Sequence, residues 1–256
     1  MFMSSAWFNG KLLEETKTIK YDIIGLSETK RAAETHMMHR DGTGVFLGKR
    51  NTTSVSGGVG FIVNSTLLPK IQEIKFLNHR IAYLTFQVDR RLSCTVFQVY
   101  APVADSDPEE LADFYESLEE AYTACRSRYK LVVGDFNARI GPRQHTERFI
   151  GPHSMEPRNE SGELLATLCE SNRLWLGTAK SGGRGVPIFL PSAFLDRGEI
   201  LQFWNADTTG ITIHVKMLPY VIDHEESIGD IRFAEKSSGP PEIEQKNEAK
   251  VRKSKF

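Results

Sequence analysis

Through the first half of the chain apolar residues come in short runs, and most of these runs stop at Gly, Asn, Asp or Ser. This spacing predicts strands over residues 21–27, 44–48, 58–63, 81–87, 93–99 and 130–134, with loops punctuated by Gly42, Gly44, Gly57 and Gly58. Two segments switch to a helical period. Asp107-Pro108-Glu109-Glu110 combines an N-cap, a first-turn proline and an acidic first turn, and Leu111, Phe114, Tyr115, Leu118, Ala121, Tyr122 and Cys125 then fall on one stripe. Asn159 or Ser161 caps a second helix with Leu164, Leu165, Leu168 and Cys169 facing inward. Helices that pack on sheet faces predict an α+β fold with layers of helix, sheet, sheet and helix.

The last third is less regular. Gly182, Gly183, Gly185, Pro187 and Pro191 interrupt the pattern, and Gln202-Phe203-Trp204 and Ile211 to Val215 carry only weak strand signals within a divergent stretch at 177–222. From Lys236 to Phe256 the chain is rich in Ser, Pro, Glu and Lys and ends in the basic run Lys250 to Lys255. The expected organisation is one folded domain over 1–235 and a disordered basic tail over 236–256.

Composition narrows the function classes. A chain of 256 residues, 40% hydrophobic and 25% charged, is long enough for one well-buried core. Its net charge of -1 excludes a global basic field, so any nucleic-acid binding has to use a local patch. Cys94, Cys125 and Cys169 are far apart in apolar surroundings and read as core residues of a reduced, intracellular protein of nucleus or cytoplasm. No stretch approaches the roughly 18 apolar residues of a membrane span, so no membrane partner is expected. His36, His39, His145 and His153 lack zinc-ligand spacing and are assigned to the surface. Gly57-Gly58-Val59-Gly60 lacks the context and lysine of a phosphate loop and reads as a turn opening a strand.

The chemistry concentrates at three strand ends. Gly134-Asp135-Phe136-Asn137 follows the apolar run Leu131-Val132-Val133, and strand alternation sends Asp135 and Asn137 to one face. A carboxylate and a carboxamide together suit a divalent cation and a phosphate held against it, although an Asx turn closing a strand needs the same residues. A second apolar strand leads into Glu28, and a third ends in the phenol of Tyr100. Phosphodiester hydrolysis needs a Lewis acid to offset charge, a base to activate water and help for the departing oxygen, and these groups can supply them.

The segments Asp22 to Arg31 (DIIGLSETKR), Gly57 to Val63 (GGVGFIV), Val99 to Pro102 (VYAP), Val133 to Gly141 (VGDFNARIG) and Asn159 to Gly162 (NESG), in that order and with Phe114-Tyr115 between them, carry a resemblance. The chain resembles the endonuclease/exonuclease/phosphatase family, which includes apurinic/apyrimidinic endonucleases and deoxyribonuclease I. Within it, the text is similar to the endonuclease domains of RTE-type non-LTR retrotransposons and to craniofacial-development-protein-2-like sequences, in register over residues 20–176. The resemblance implies a four-layer α/β/β/α sandwich of the deoxyribonuclease I-like type. It makes Glu28 a ligand of Mg²⁺, with Mn²⁺ as the alternative, and sets Tyr100 beside the scissile phosphate. Asp135 then orients the attacking water or stabilises the departing oxygen, Asn137 holds phosphate oxygens, and Asn159 is assigned to substrate; apart from the resemblance, Lys30 and Arg31, with Lys49 and Arg50, read either as contacts to a DNA backbone or as solvated charged faces. Asp223-His224, followed by Ile231-Arg232-Phe233, maps onto the family's Ser-Asp-His motif with Ile222 in place of serine. This assigns both residues to catalysis and Asp223 to the metal as well.

Two departures accompany the likeness. The family opens with a strand whose asparagine stands well upstream of the glutamate, whereas Asn9 is too close to Glu28 to take that place. Residues 177–210 contain no copy of the aromatic-rich segment and Ile-Asp-Tyr-Ile-like strand, and Asp196 and Asp207 lie in a different context. The sandwich is therefore expected to be incomplete. The expected function is a Mg²⁺-dependent, DNA-nicking endonuclease of a retrotransposon-like element, of full, reduced or lost activity. DNA is its expected partner, and a reverse transcriptase domain is encoded elsewhere in the parent element. Two alternatives are a small-molecule phosphodiesterase or phosphatase of the same fold and a non-catalytic fragment serving as an interaction module.

Overall fold

A computed structural model describes residues 21–53, 56–151 and 157–177, together with the backbone of three strands at 188–191, 199–205 and 212–219. Early in the chain come β1 (Ile23–Leu26), β2 (Thr35–Met38), β3 (Gly44–Leu47), β4 (Gly60–Val63), β5 (Ile71–Phe76), β6 (Ile81–Asp89) and β7 (Leu92–Tyr100). Helix α1 (Pro108–Ala124), β8 (Tyr129–Asp135), helix α2 (Glu160–Asn172), β9 (Leu174–Gly177), β10 (Ile188–Pro191), β11 (Glu199–Asn205) and β12 (Thr212–Pro219) follow. The strands form two six-stranded sheets, ordered β11-β12-β1-β4-β3-β2 and β5-β6-β7-β8-β10-β9.

The sheets stack because their facing sides are apolar. Ile23, Phe61 and Val63 of the first sheet meet Ala82, Leu84, Val96, Leu131 and Val133 of the second, all nearly or fully buried. Burying each such side chain contributes about 1.5–3 kcal/mol. Strand β7 is buried on both sides: Cys94 and Val96 face the other sheet, while Phe97 and Val99 face the helices. Against that outer face lie Leu111, Phe114 and Leu118 of α1 and Leu165, Leu168 and Cys169 of α2. Both caps form as the side-chain chemistry predicts, with Asp107 accepting from the Glu109 amide and Asn159 from the Gly162 amide. All three cysteines are free thiols; Cys94 and Cys169 are buried and Cys125 is partly covered.

The α+β fold with two stacked sheets agrees with expectation. The two described helices form the helix layer on one outer face of the stacked sheets. Helix α1 is the crossover between β7 and β8, which pair in parallel, and α2 leads into β9 of the same sheet. The inner face of that sheet is taken by the first sheet, so both helices pack outside it. The opposite face of the sandwich carries its own buried cluster of Ile24, Leu26, Val45, Leu47 and Ile62. The predicted tail, Asn9, Asp223 and His224 lie outside the described residues.

Four strands escaped the periodicity: β2, β5, β9, and β10 in the stretch that Pro187 and Pro191 interrupt. Strand β2 is a sheet edge of sequence Thr-His-Met-Met with no fully buried residue. In β5 an irregularity between Ile71 and Glu73 breaks the alternation. The short strand β9, directly after α2, has no turn chemistry to announce it beyond Arg173, which ends the helix in the left-handed region at φ 52°. The weak signals at 202–204 and 211–215 do correspond to strands: β11 pairs with β12, and β12 pairs with β1.

One backbone contact and one ion pair hold the strand ends in place. Gly134 lies opposite Val99 in the parallel pair, at φ 146°, and a Cβ there would stand 2.0 Å from the Val99 carbonyl oxygen. Beyond β8, Arg158 is nearly buried with Glu147; its Nη2 donates to Glu147 Oε2 at 2.9 Å and its Nε donates to the Ile140 carbonyl. The Arg158 hydrogen bonds hold the Glu147 carboxyl below the usual carboxylate range.

Two stability outcomes follow. Gly134→Ala lowers unfolding free energy by on the order of 3 kcal/mol, since the clash and the positive φ act together; the urea midpoint falls with the slope unchanged. Glu147 has a folded pKa below its unfolded value of 4.5, so its contribution is present above that value and is lost as pH falls through the folded one. Glu147→Gln is therefore less stable than wild type at pH 7, by about 2 kcal/mol, and denaturant titrations at successively lower pH show the gap closing.

Candidate active site

The three strand ends identified from sequence come together at one edge of the sandwich. Tyr100 ends β7 and is the direct register partner of Asp135, which ends β8. Glu28 lies just past β1 on the facing sheet, and its Oε1 accepts a short hydrogen bond from the Tyr100 hydroxyl. The Glu28 backbone is in the left-handed region at φ 56°, which turns the chain out of the strand. The turn is held by the Thr29 and Lys30 amides, which donate to the carbonyls of Gly58 and Gly57 at 3.0 Å each.

Tyr100 is a proton donor here. Its burial raises the phenol well above its usual range, and the hydrogen bond to Glu28 and the negative charges of Glu28 and Asp135 push it in the same direction. The hydroxyl thus keeps its proton across the neutral range and offers it to an anionic oxygen. Lys30 supplies a second partner to Glu28, with Nζ 3.4 Å from Oε2, and both side chains remain about half exposed.

Asn137 reaches the site by a route different from strand alternation. Strand β8 ends at Asp135, Phe136 turns into the helix-side core, and Asn137 has φ 46°. The Asn137 amide donates to Asp135 Oδ1 at 2.9 Å, which is an Asx turn, and its Nδ2 donates to the Ala101 carbonyl at 2.9 Å. Both the turn and the proximity to Asp135 are therefore present in one structure. Asn159 serves as a cap: its Oδ1 accepts from the amides of Gly162 and Arg139 at 2.9 Å each, tying the start of α2 to the loop after β8.

Arg31 lies beside the glutamate turn, and its carbonyl accepts from the Arg50 amide at 2.7 Å. This pairing brings Lys30, Arg31, Lys49 and Arg50 onto two adjacent loops, a local basic patch on a chain without net positive charge. Of the histidines assigned to the surface, His36 and His145 are exposed, whereas His39 is partly covered with its Nε2 buried.

Arg80 is the residue that sequence reading missed. It is almost buried, its guanidinium stands 5.6 Å from the centre of the Tyr100 ring, and Nη1 donates to the Tyr100 carbonyl at 3.2 Å. Glu110 of α1 accepts from Nη2 at 2.6 Å and fixes the other side of the guanidinium. A lone arginine before an apolar run reads as a solvated flank. The available signal was Asn78, whose Oδ1 accepts from the amides of Arg80 and Ile81 at 2.8 and 2.9 Å and so builds a specific turn there. Neighbouring His79 is held below the usual imidazole range by burial first and by the Arg80 charge second.

Among the described residues, no group of three His, Cys, Asp or Glu side chains lies close enough together to hold a metal ion. The oxygen donors Glu28, Asp135 and Asn137 are nevertheless hard ligands of the type Mg²⁺ takes, and Mg²⁺ commonly uses one or two carboxylates and completes its shell with water. No described helix is long and apolar enough to cross a membrane.

Residues 6–196 match the Endonuclease/Exonuclease/phosphatase family. No curated protein matches the chain. Among solved structures it is similar to the endonuclease domain of TRAS1, a telomere-specific non-LTR retrotransposon, with a TM-score of 0.45 and 14% identity over 80% of this chain and 90% of that one. With the family matched over most of its length, the chain belongs to the Endonuclease/Exonuclease/phosphatase family.

Proposed function

We propose that the chain is a Mg²⁺-dependent phosphodiesterase that nicks DNA, of the kind associated with RTE-type non-LTR retrotransposons. The observation that carries this reading is the hydrogen bond between the Tyr100 hydroxyl and the Glu28 carboxylate, made beside Asp135 at the ends of three strands. Family membership supports phosphoester chemistry. The matched text from DIIGLSETKR to NESG supports the retrotransposon branch over the small-molecule phosphatases.

In this reading Glu28, with Asp223 from the last third of the chain, would hold Mg²⁺ or Mn²⁺, which would supply Lewis-acid compensation for charge on the phosphate. Tyr100, kept protonated by burial and by its carboxylate neighbours, donates to a non-bridging phosphate oxygen. Asp135 orients water or the departing oxygen, and the Asn137 carboxamide holds the phosphate in line. Asp223 and His224 complete the acid–base machinery. Lys30 and Arg31, with Lys49 and Arg50, take the DNA backbone through charge rather than base identity. Asn159 orders the loop that carries Asn137 as well as facing substrate. A reverse transcriptase domain of the same parent element is the proposed functional partner, and nucleus or cytoplasm the proposed location.

The test is nicking of supercoiled plasmid by the purified full chain. Mg²⁺-dependent nicking, abolished by EDTA and reduced about a hundredfold or more in Glu28→Ala and Asp135→Ala, is the expected result. Wild-type activity no greater than that of Asp135→Ala overturns the proposal. Tyr100→Phe also slows turnover by about a hundredfold. In wild type, a profile of rate against pH has no limb from tyrosine ionisation below about pH 10, because the shift is upward.

A further inference from the structure

We propose that Ser27 and Gln98 are positioning residues that lock Glu28 against Tyr100 across the seam between the two sheets. The proposal rests on the reading that Glu28 and Tyr100 work together. Both residues are close in sequence to the groups in question: Ser27 stands directly before Glu28, and Gln98 lies two positions before Tyr100 on β7.

Gln98 is fully buried, and its neighbours on the same face of β7, Cys94, Val96 and Tyr100, belong to the core between the sheets. A primary amide in such a place costs free energy unless its polar atoms find partners. Its Nε2 donates to Ser27 Oγ at 2.9 Å and to the Val99 carbonyl at 3.2 Å, and Ser27 Oγ donates to that same carbonyl at 3.2 Å. Three bonds thus converge on one point between the sheets, with Glu28 and Tyr100 one residue beyond it on either side.

The backbone opposite is shaped to admit the amide. A Cβ on Gly25 would stand 1.8 Å from Gln98 Oε1, so the absence of a side chain on β1 makes room for the glutamine. Among the described residues no group donates to Oε1, so the bonds that orient this side chain are those of Nε2. A residue that only filled volume at position 98 would need neither those bonds nor that glycine. The positions of Glu28 and Tyr100 are otherwise set on two separate sheets, and a small slip between them breaks the contact.

Tyrosine labelled with ¹³C at the ring carbon bearing the hydroxyl reports the contact directly in the full chain. The Tyr100 resonance is assigned with Tyr100→Phe, and its position without the carboxylate partner is set with Glu28→Gln. Ser27→Ala, Gln98→Leu and Gly25→Ala are expected to move this resonance most of the way to the Glu28→Gln position while thermal unfolding remains cooperative. A wild-type resonance in cooperatively folded Ser27→Ala and Gln98→Leu overturns the proposal. Should Gln98→Leu fail to fold, Ser27→Ala, which removes a single hydroxyl, decides the matter alone. The readout needs no turnover, so an inactive wild-type chain overturns the nuclease reading and leaves this one to the resonance. Where wild type nicks DNA, kcat falls about tenfold in both variants with little change in KM, as expected when a reacting group is misplaced and substrate contacts are kept.

Discussion

Tyr100 and Asp135 stand side by side because β7 and β8 run parallel, and the pair is so close at Val99 and Gly134 that no side chain fits between them. Parallel pairing requires a long connection, which α1 provides, and α1 in turn covers the outer face of the sheet with Leu111, Phe114 and Leu118. The crossover that aligns the strand ends thus also covers the outer face of their sheet. Once this edge is set, stacking of the second sheet delivers Glu28 to Tyr100, and the loop after β8 folds back through its Asx turn to put Asn137 beside Asp135. Each step depends on the one before, and the parallel pair is the first.

The electrostatics of the edge are arranged in layers. Two carboxylates, Glu28 and Asp135, bracket a phenol whose proton affinity they raise. Beneath the phenol lies Arg80, which opposes that rise but is itself paired with Glu110 on α1. The guanidinium consequently anchors the Tyr100 backbone and ring while much of its charge is already answered. On the solvent side the balance is reversed, because Lys30, Arg31, Lys49 and Arg50 gather on two bonded loops. A polyanion approaching this surface meets positive charge first and the proton donor behind it, which is the order that phosphate recognition asks for.

Much of this was legible from the chain alone, and the exceptions have specific physical causes. The strand ends at Glu28, Tyr100 and Asp135 and the caps at Asp107 and Asn159 are local signals, carried by a few consecutive residues, and the structure brings them to the places that the pattern implied. Strand β5 was hidden by a register irregularity and β2 by its place at an edge, where four residues, none fully buried, carry little apolar contrast to read. Which face each helix covers depends on crossover geometry, a property of the whole sheet. Arg80, Ser27 and Gln98 are harder still, since Arg80 pairs with a residue 30 positions away and Ser27 and Gln98 with each other across 71, and only the folded sandwich brings them within reach. Asn137 shows the opposite failure: alternation placed it on the correct side by the wrong route, because a left-handed residue after the strand replaces the period of two.

The bond between Tyr100 and Glu28 also sets a cost on the proposed reaction. In the structure the hydroxyl has one proton and gives it to the carboxylate, while Lys30 approaches the second carboxylate oxygen. To donate to a phosphate oxygen, Tyr100 must give up Glu28, and a hydrogen bond to a charged group contributes about 1.5–3 kcal/mol. The new hydrogen bond to an anionic phosphate oxygen offsets that loss in part, and Glu28 keeps Lys30 beside it; a further cation drawn to Glu28 offsets the rest. In the proposed reaction the two events are linked: a cation drawn to Glu28 competes with the Tyr100 hydroxyl for the carboxylate and so eases release of the proton donor toward the phosphate. A rigid seam is what makes this coupling effective, because a loose one would let Tyr100 leave Glu28 at any time and separate proton donation from charge compensation.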